Sequence, residues 1–344
     1  MSSPEDKPPF PLEDFLVLPK AELHVHLEGT VDARTLLDLA SRHGATAPGA
    51  TVEDIERWYS FDGFEQFLER YFRVIGLLRD DDDFACIAER YLLRAHDQGV
   101  VHVEFHVSAT GHIIESGHRW SAVQAGIVAG CEAAAAATGI SWALIPDISP
   151  HLPEADVYSA LDEVLSDCHE RVVAVGMGGP AHPHWWDKDF ARCYDMARDA
   201  GLRAVAHAGE HGGADEVRFA IEHFGVERIQ HGIGAMSDPF VVELLVGQEI
   251  ACDVCPGSNL ALRAVTGPET HPLAAMVDAG VKVTLGSDDP PLFHTSLTDE
   301  YRRAWDWCDL EPSGLARLAR HSLEAAFVAE EPRSQWLADL AARS

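Results

Sequence analysis

Histidines and carboxylates that could bind one metal ion occur at four separate places in the sequence. His24 and His26 are two residues apart in an apolar segment, so on a β-strand both side chains would point to the same face. The other candidates, each at the end of a later apolar segment, are His207 with Glu210, His231, and Asp288 with Asp289. Three neutral histidines and a carboxylate form a zinc shell that leaves room for water, and burying so many ionisable groups together would be costly without a cation. The sequence therefore predicts a metal site.

Eight short apolar segments, often rich in β-branched residues, could be the strands that position these groups. They are Glu22–His26, Val100–Val107, Ser141–Ile148, Val172–Gly176, Arg203–His207, Arg228–Gly232, Ile250–Cys255 and Val281–Gly286. Each ends in polar or glycine-rich residues and is followed by a helical pattern, which is typical of a parallel βα unit. Eight such units favour a single (β/α)8 TIM barrel, and no glycine-rich dinucleotide motif follows the first segment to favour an open sheet. The candidate ligands would then meet at the C-terminal mouth of the barrel.

The stretch from Thr30 to Leu78 is too long for one helix, so we expect extra helices after the first strand. Its aromatic residues are Trp58, Tyr59, Phe61, Phe64, Phe67, Tyr71 and Phe72. Each one alone is most simply explained as packing a helix onto the barrel. As a group they predict a lid over an apolar ligand. No linker or repeat divides the chain, so we predict one domain over residues 1–344, with residues 1–18 as an N-terminal extension.

Composition narrows the range of partners. The chain has 56 Asp and Glu against 26 Lys and Arg, and its net charge of −30 would repel nucleic acid over most of the surface. The start of the chain does not resemble a signal peptide, and no apolar run reaches the length of a membrane span. We therefore expect a cytoplasmic protein that binds a small molecule. The seven cysteines are scattered and are interpreted as reduced, and the sequence leaves the oligomeric state open.

Five segments, in order along the chain, resemble the motifs of the adenosine and adenine deaminases. They are Pro19-Lys-Ala-Glu-Leu-His-Val-His-Leu-Glu-Gly29, His207-Ala-Gly-Glu210, Arg228-Ile-Gln-His-Gly232, Cys255-Pro-Gly-Ser-Asn259 and Gly286-Ser-Asp-Asp-Pro290. The resemblance implies an enzyme that removes the 6-amino group of an adenine ring by hydrolysis. It also implies one Zn²⁺ per chain, and the ligands that it implies are His24, His26, His207 and Asp288.

The same resemblance implies roles for two residues close to the metal. Attack at C6 of the purine is easy only if the ring nitrogen N1 receives a proton, and Glu210 would be the acid that supplies it. His231 would be a catalytic base or a group that stabilises the hydroxide, and it could pass a proton to the departing amine. A solvated carboxylate at a helix start is the alternative for Glu210, but its position next to the candidate ligand His207 favours a role at the site.

The resemblance implies further residues at the substrate. Asp289 would hydrogen-bond N7, although it could instead only shape the turn before Pro290. The backbone of Gly179 would face N3, and His26 would lie against the substrate as well as bind the metal. Glu28 occupies the position where adenosine deaminases usually carry an aspartate that helps to hold the ribose 5′-hydroxyl.

The identity of the substrate stays open at this point. The main expectation is an adenosine-type nucleoside, which would give an inosine-type product and ammonia. Glu28 and the pair Ser258-Asn259 are more like the adenine deaminase branch, whereas the segment Glu104–His112 resembles neither branch. Adenine and aminodeoxyfutalosine are therefore alternative substrates. A 5′-phosphorylated substrate is less attractive, because the first βα region offers few basic groups.

Two alternatives come from other classes of protein. A two-metal barrel hydrolase would normally use a lysine on the fourth strand, and the segment Val172–Gly179 contains none. A non-catalytic zinc-stabilised binding protein would have no reason to hold Glu210 and His231 beside an open coordination position. Both alternatives explain fewer of these residues than a deaminase does.

Overall fold

The computed structural model describes residues 8–178 and 189–343, and in it eight parallel strands form a closed barrel. They are β1 Lys20–His26, β2 Val100–Val107, β3 Ser141–Ile148, β4 Ala174–Met177, β5 Arg203–Ala208, β6 Arg228–His231, β7 Ala251–Val254 and β8 Lys282–Leu285. Each strand pairs with the next one along the chain. The barrel closes where Val25 of β1 bridges to Asp288, and the backbone N–H of His26 donates to the Asp288 carbonyl at 2.9 Å. The predicted barrel is confirmed.

Helices surround the barrel and cover one of its mouths. They are α1 Leu12–Leu16, α2 Ala33–Arg42, α3 Val52–Tyr59, α4 Phe64–Ile75, α5 Asp81–Asp97, α6 Ala109–Ile114, α7 Trp120–Thr138, α8 Glu154–Ser166, α9 Ala191–Asp199, α10 Ala214–Phe219, α11 Pro239–Gly247, α12 Pro256–Ala261, α13 Leu273–Asp278, α14 Leu297–Trp307, α15 Pro312–Ala325 and α16 Glu330–Arg343. Within the described ranges, none of these helices combines the length and apolarity that a membrane span requires. All seven residues of β1 are buried, as expected for a strand covered on both faces.

The extra helices predicted after the first strand are α2, α3 and α4. Helix α4 lies over the C-terminal mouth of the barrel, where Phe67 stacks on Phe293 with ring centroids 5.1 Å apart. Tyr59 at the end of α3 is buried instead, and its hydroxyl donates to the Val31 carbonyl at 2.5 Å. The aromatic residues thus divide between the two expected roles, with α4 as the lid and the end of α3 as packing.

A layer of buried charge fills the barrel below its C-terminal mouth. The Arg228 guanidinium contacts the carboxylates of Glu104 and Asp253, each at 2.6 Å. Burial alone would raise the pKa of Glu104, but the charge of Arg228 outweighs it and lowers that pKa to about 2. The single charge of Arg228 balances one of the two carboxylates, and burial raises the pKa of Asp253 to about 6 although Arg228 opposes the shift. This layer lies directly below the candidate metal ligands.

Candidate active site

The predicted metal ligands meet at the C-terminal mouth of the barrel. His24 and His26 lie on β1, His207 lies on β5, and Asp288 follows β8. One ligand atom from each of these four residues lies within 4.8 Å of the others. Residues separated by more than 260 positions in the chain are therefore brought to one point by the strand order of the barrel.

The protonation of the imidazoles shows that a cation fits this cluster. The Nδ1 atoms of His24 and His207 lie 2.9 and 2.7 Å from the carbonyl oxygens of Asp253 and Met177. A carbonyl oxygen only accepts, so each Nδ1 carries the proton and each Nε2 presents a lone pair. These two Nε2 atoms are 3.1 Å apart, and His26 Nε2 is also 3.1 Å from His207 Nε2. Lone pairs this close repel each other unless a cation lies between them.

The spacing of the ligand atoms is compatible with zinc. Zinc–nitrogen bonds of about 2.0–2.1 Å separate the nitrogens of a tetrahedral shell by roughly 3.3 Å. The carboxylate of Asp288 completes the set, with its Oδ1 3.7 Å from His24 Nε2 and 3.4 Å from His26 Nε2. Burial alone would raise the pKa of Asp288, but the neighbouring imidazoles lower it, so the carboxylate is ionised.

The backbone of Asp288 is held in an uncommon conformation. Its φ is +62°, a region that costs a non-glycine residue on the order of 1–3 kcal/mol and that persists only when the surroundings enforce it. Glu22 supplies that constraint. Its Oε1 accepts from the Ser287 backbone N–H at 3.2 Å and hydroxyl at 2.6 Å, and its Oε2 accepts from the Tyr91 hydroxyl at 2.6 Å. Sequence reasoning assigned no role to Glu22.

Glu210 lies beside the cluster, on the loop that follows β5. Its Oε1 is buried and makes no hydrogen bond within the described residues. Burial raises the pKa of Glu210 well above its ordinary value, and the carboxylates of Asp288 and Glu216 raise it further. The raised pKa favours the protonated form of Glu210, which the predicted role as a proton donor requires.

His231 ends β6, and its imidazole faces both Glu210 and Asp288. Its Nε2 lies 3.7 Å from Glu210 Oε1 and 3.8 Å from Asp288 Oδ2. Like Asp288, it has a positive φ, +62°. Burial and the nearby His24 lower its pKa well below the ordinary value, so the ring is neutral.

A pocket opens above these residues, beneath α4. Its volume is about 750 Å³ including the mouth. Its described walls include His26, Phe64, Phe67, Tyr71, Ser108, His112, Glu115, Ser149, His151, His207, Glu210, His231, Leu262, Asp288 and Asp289. Lysine and arginine are absent from the part of the wall that residues 8–178 and 189–343 form. The pocket is thus apolar under the lid and acidic at its base.

Among the predicted substrate residues, His26 and Asp289 line this pocket. Asp289 Oδ1 is buried without a hydrogen bond to the described residues, and burial together with Asp288 raises the pKa of Asp289 well above its usual range. The predicted contact of Gly179 falls outside the described residues.

Glu28 lies behind the pocket wall. Its Oε1 accepts from the Ser108 backbone N–H at 2.9 Å and from His112 Nε2 at 2.8 Å, and the residue is fully buried. Ser108 and His112 are the wall residues in front of it. Sequence reasoning did not single out these two residues, and the only signal was that the segment Glu104–His112 resembles neither deaminase branch.

Comparison with known proteins agrees with this arrangement. The family model described as adenosine deaminase matches residues 19–343. An adenine deaminase from Rhodopseudomonas palustris (strain BisB18) is 37% identical over 330 residues, covering 96% of this chain and 95% of that protein. The chain spans nearly the whole length of this relative.

Solved structures show the same fold. An adenine deaminase from Arthrobacter aurescens superimposes with a TM-score of 0.89 at 31% identity, covering 94% of this chain and 98% of that one. An amidohydrolase from Burkholderia ambifaria, with bound Zn, has a TM-score of 0.87 at 28% identity and covers 99% of this chain and 93% of its own.

Proposed function

The chain belongs to the adenosine deaminase family, and on that premise we propose that it is a zinc-dependent adenine deaminase, which converts adenine and water into hypoxanthine and ammonia. It is a hydrolytic deaminase that acts on the C–N bond of an adenine ring. The free base as substrate and zinc as metal are the parts that we propose. The observation that carries the proposal is the position of Glu210 next to the cluster of His24, His26, His207 and Asp288, at the base of one pocket.

The surroundings of Glu28 support the free base over a nucleoside. The Oε1 of Glu28 is already used by Ser108 and His112, and the carboxylate does not line the pocket. Its Oε2 has no hydrogen-bond partner within the described residues, but the carboxylate is fully buried and set back from the described wall, so a ribose 5′-hydroxyl would have to displace that wall to reach it. Named relatives at 31–37% identity are adenine deaminases, which agrees with this argument.

The charge of the pocket disfavours a 5′-phosphate. Phosphate recognition usually depends on arginine or lysine donors. The described wall has no such residue, and it contains the acids Glu115, Glu210, Asp288 and Asp289. A phosphorylated substrate would meet carboxyl groups there with no cationic side chain in the described wall to offset its charge.

We assign the zinc to His24, His26, His207 and Asp288. When bound, zinc lowers the pKa of water enough to supply a nucleophile near neutral pH. The hydrogen bonds from Nδ1 of His24 and His207 to backbone carbonyls orient the two rings and fix their tautomers.

The remaining residues bind the purine and move protons. Glu210 donates its proton to N1, which makes C6 electrophilic. In the tautomer of adenine with its proton on N9, N7 is a hydrogen-bond acceptor, so Asp289 donates to it, and the raised pKa of Asp289 favours the protonated carboxyl that this requires. His231, whose Nε2 lies 3.7 Å from Glu210 Oε1 and 3.8 Å from Asp288 Oδ2, orients the attacking oxygen. Helix α4 limits the access of bulk water to the reacting atoms.

Ammonia release by the zinc-loaded protein tests the proposal. The panel is adenine, adenosine, deoxyadenosine, aminodeoxyfutalosine and N6-methyl-AMP, compared by kcat/KM. We expect the highest value for adenine, because the buried Glu28 carboxylate does not line the described wall of the pocket. A preference for a nucleoside would overturn the free-base assignment and leave the deaminase intact. No ammonia from any member, with zinc bound and the fold intact, would overturn the proposed substrate set.

A further inference from the structure

A line of hydrogen bonds runs from the start of helix α13 to His231. The backbone N–H of Leu273 donates to His271 Nδ1 at 3.1 Å. His271 Nε2 lies 3.1 Å from Asn259 Oδ1, and Asn259 Nδ2 lies 3.1 Å from His231 Nδ1. All three side chains are buried. The line connects the catalytic histidine to a backbone group on another element.

The direction of each bond follows from the first one. A backbone N–H can only donate, so His271 Nδ1 has to accept. Burial lowers the pKa of His271 to about 4, so the ring is neutral near pH 7 and its single proton is on Nε2. That proton is donated to Asn259 Oδ1, which turns the amide NH2 toward His231. His231 Nδ1 then accepts, and the proton of the neutral His231 ring has to be on Nε2.

We propose that Asn259 and His271 are positioning residues that hold His231 in the tautomer with its proton on Nε2, so that His231 donates a hydrogen bond to the attacking oxygen and does not accept its proton. The assignment of that oxygen rests on the proposed function. The tautomer itself rests only on the contacts of Leu273, His271 and Asn259.

The composition and the local structure agree with a specific role for this amide. Asn259 is the only asparagine among the 344 residues. It lies in helix α12, which is anchored by the N–H of Gly257 donating to the buried Glu300 carboxyl at 2.8 Å. An aspartate at this place would accept from both histidines when ionised, and an apolar residue would bond to neither. The amide alone accepts on one side and donates on the other without a change in protonation.

The tautomer of His231 determines which residue transfers the proton of the attacking oxygen to the departing amine. A neutral His231 with Nε2–H has no lone pair facing the pocket, so the proton shuttle falls to Glu210. Glu210 first gives its proton to N1, and its carboxylate then takes the proton of the oxygen on C6 and passes it to the amine. The C6–N bond breaks, ammonia leaves and the C6 carbonyl forms. The water that replaces the product returns a proton to Glu210, which balances the cycle.

Nuclear magnetic resonance of protein labelled with ¹⁵N-histidine reads the tautomer directly. The His231 ring signals are identified by their absence in His231→Gln, and long-range proton–nitrogen correlations distinguish a protonated Nε2 from a protonated Nδ1. We expect Nε2–H in the wild type, with and without zinc. A protonated Nδ1 in the wild type would overturn the proposal, whatever the substrate is.

Substitution of Asn259 tests whether the amide imposes this state. Asn259→Leu keeps the size and removes both hydrogen bonds, so we expect His231 to populate both tautomers. The loss of one fixed donor to the attacking oxygen should lower kcat by about 10²-fold, with KM and zinc content nearly unchanged. An unchanged single Nε2–H tautomer in this variant would contradict the positioning role.

A matched pair at His271 separates orientation from packing. Glutamine can still donate to Asn259 Oδ1, whereas leucine cannot. We expect His271→Gln to retain most of kcat and the Nε2–H tautomer of His231. His271→Leu should resemble Asn259→Leu in its lowered kcat and in its mixture of His231 tautomers. Equal losses in the two variants, with the tautomer unchanged, would mean that His271 only fills space. If adenine is not the substrate, the tautomer results still stand, so failure of the proposed function is distinguishable from failure of this inference.

Discussion

Glu210 and His231 face each other at the base of the pocket, with Glu210 Oε1 3.7 Å from His231 Nε2. The proposed reaction requires a protonated Glu210 and an uncharged His231. Burial keeps the proton on Glu210 and keeps His231 neutral, so an acid and an uncharged imidazole stand side by side. A substrate ring bound in the pocket above them would meet the Glu210 proton at N1 and would bring the attacking oxygen to the ring N–H of His231.

Glu210→Gln removes the acid and nearly preserves the shape. We expect kcat to fall by about 10²–10⁴-fold, because an amide cannot deliver a proton to N1. Zinc content and the melting temperature should stay close to the wild-type values. The matched control is Glu115→Gln, which neutralises another acid of the pocket wall that lies outside the metal cluster. Equal loss in the two variants would point to pocket charge rather than to proton transfer.

Removal of a proposed metal ligand should act on stability as well as on activity. We expect His207→Gln to lose tightly bound zinc, measured by elemental analysis, and to lose the rise in melting temperature that zinc gives the wild type. A ligand that binds only the folded state stabilises it by about 4 kcal/mol at 1,000 times its Kd. His211→Gln is the control, since His211 is close in the chain but outside the cluster. Full zinc binding by His207→Gln would contradict the ligand set.

The strands and the shared location of the candidate ligands were predictable from the sequence for one physical reason, whereas the choice of four ligands among those candidates came from the resemblance to the deaminase motifs. A parallel strand buried on both faces reads as a continuous apolar run, and a barrel places the polar residue after each run at the same mouth. His207 and Asp288 could therefore be assigned to the same site without knowledge of the distance between them. The predicted strand limits differ from the observed ones by at most two residues.

The contacts between side chains from different loops were not predictable in this way. Asn259 and His271 belong to separate segments, and nothing in their spacing shows that both lie next to His231. Glu28 illustrates the same limit. Its place in the β1 motif was clear, but its hydrogen bonds to Ser108 and His112 depend on the fold of the loop after β2.

The contacts of Glu28 lead to a prediction about specificity. Glu28→Asp shortens the side chain, so the Ser108 N–H and His112 Nε2 would each lose a partner. We expect kcat/KM for adenine to fall by about tenfold, which corresponds to about 1.4 kcal/mol. The ratio of adenosine to adenine turnover should rise, because the wall moves away from the purine. Glu115→Asp is the matched control at the pocket wall, and a ratio that changes equally in both variants would count against the role of Glu28.

Glu300 should make the free energy of unfolding depend on pH. Burial raises its pKa to about 7 in the folded protein, although Arg303 opposes the shift. The folded state therefore keeps a proton on Glu300 that the unfolded state releases near pH 4.5. The contribution of this proton to the free energy of unfolding is fully present below pH 4.5 and is lost as the pH rises toward 7. Glu300→Gln cannot titrate. We expect the unfolding free energy of the wild type, relative to this variant, to decrease between pH 4.5 and 7, by about 1.4 kcal/mol for each unit of pKa difference. Urea titrations of both proteins at several pH values measure it, and a flat or rising difference would show that Arg303 keeps Glu300 ionised.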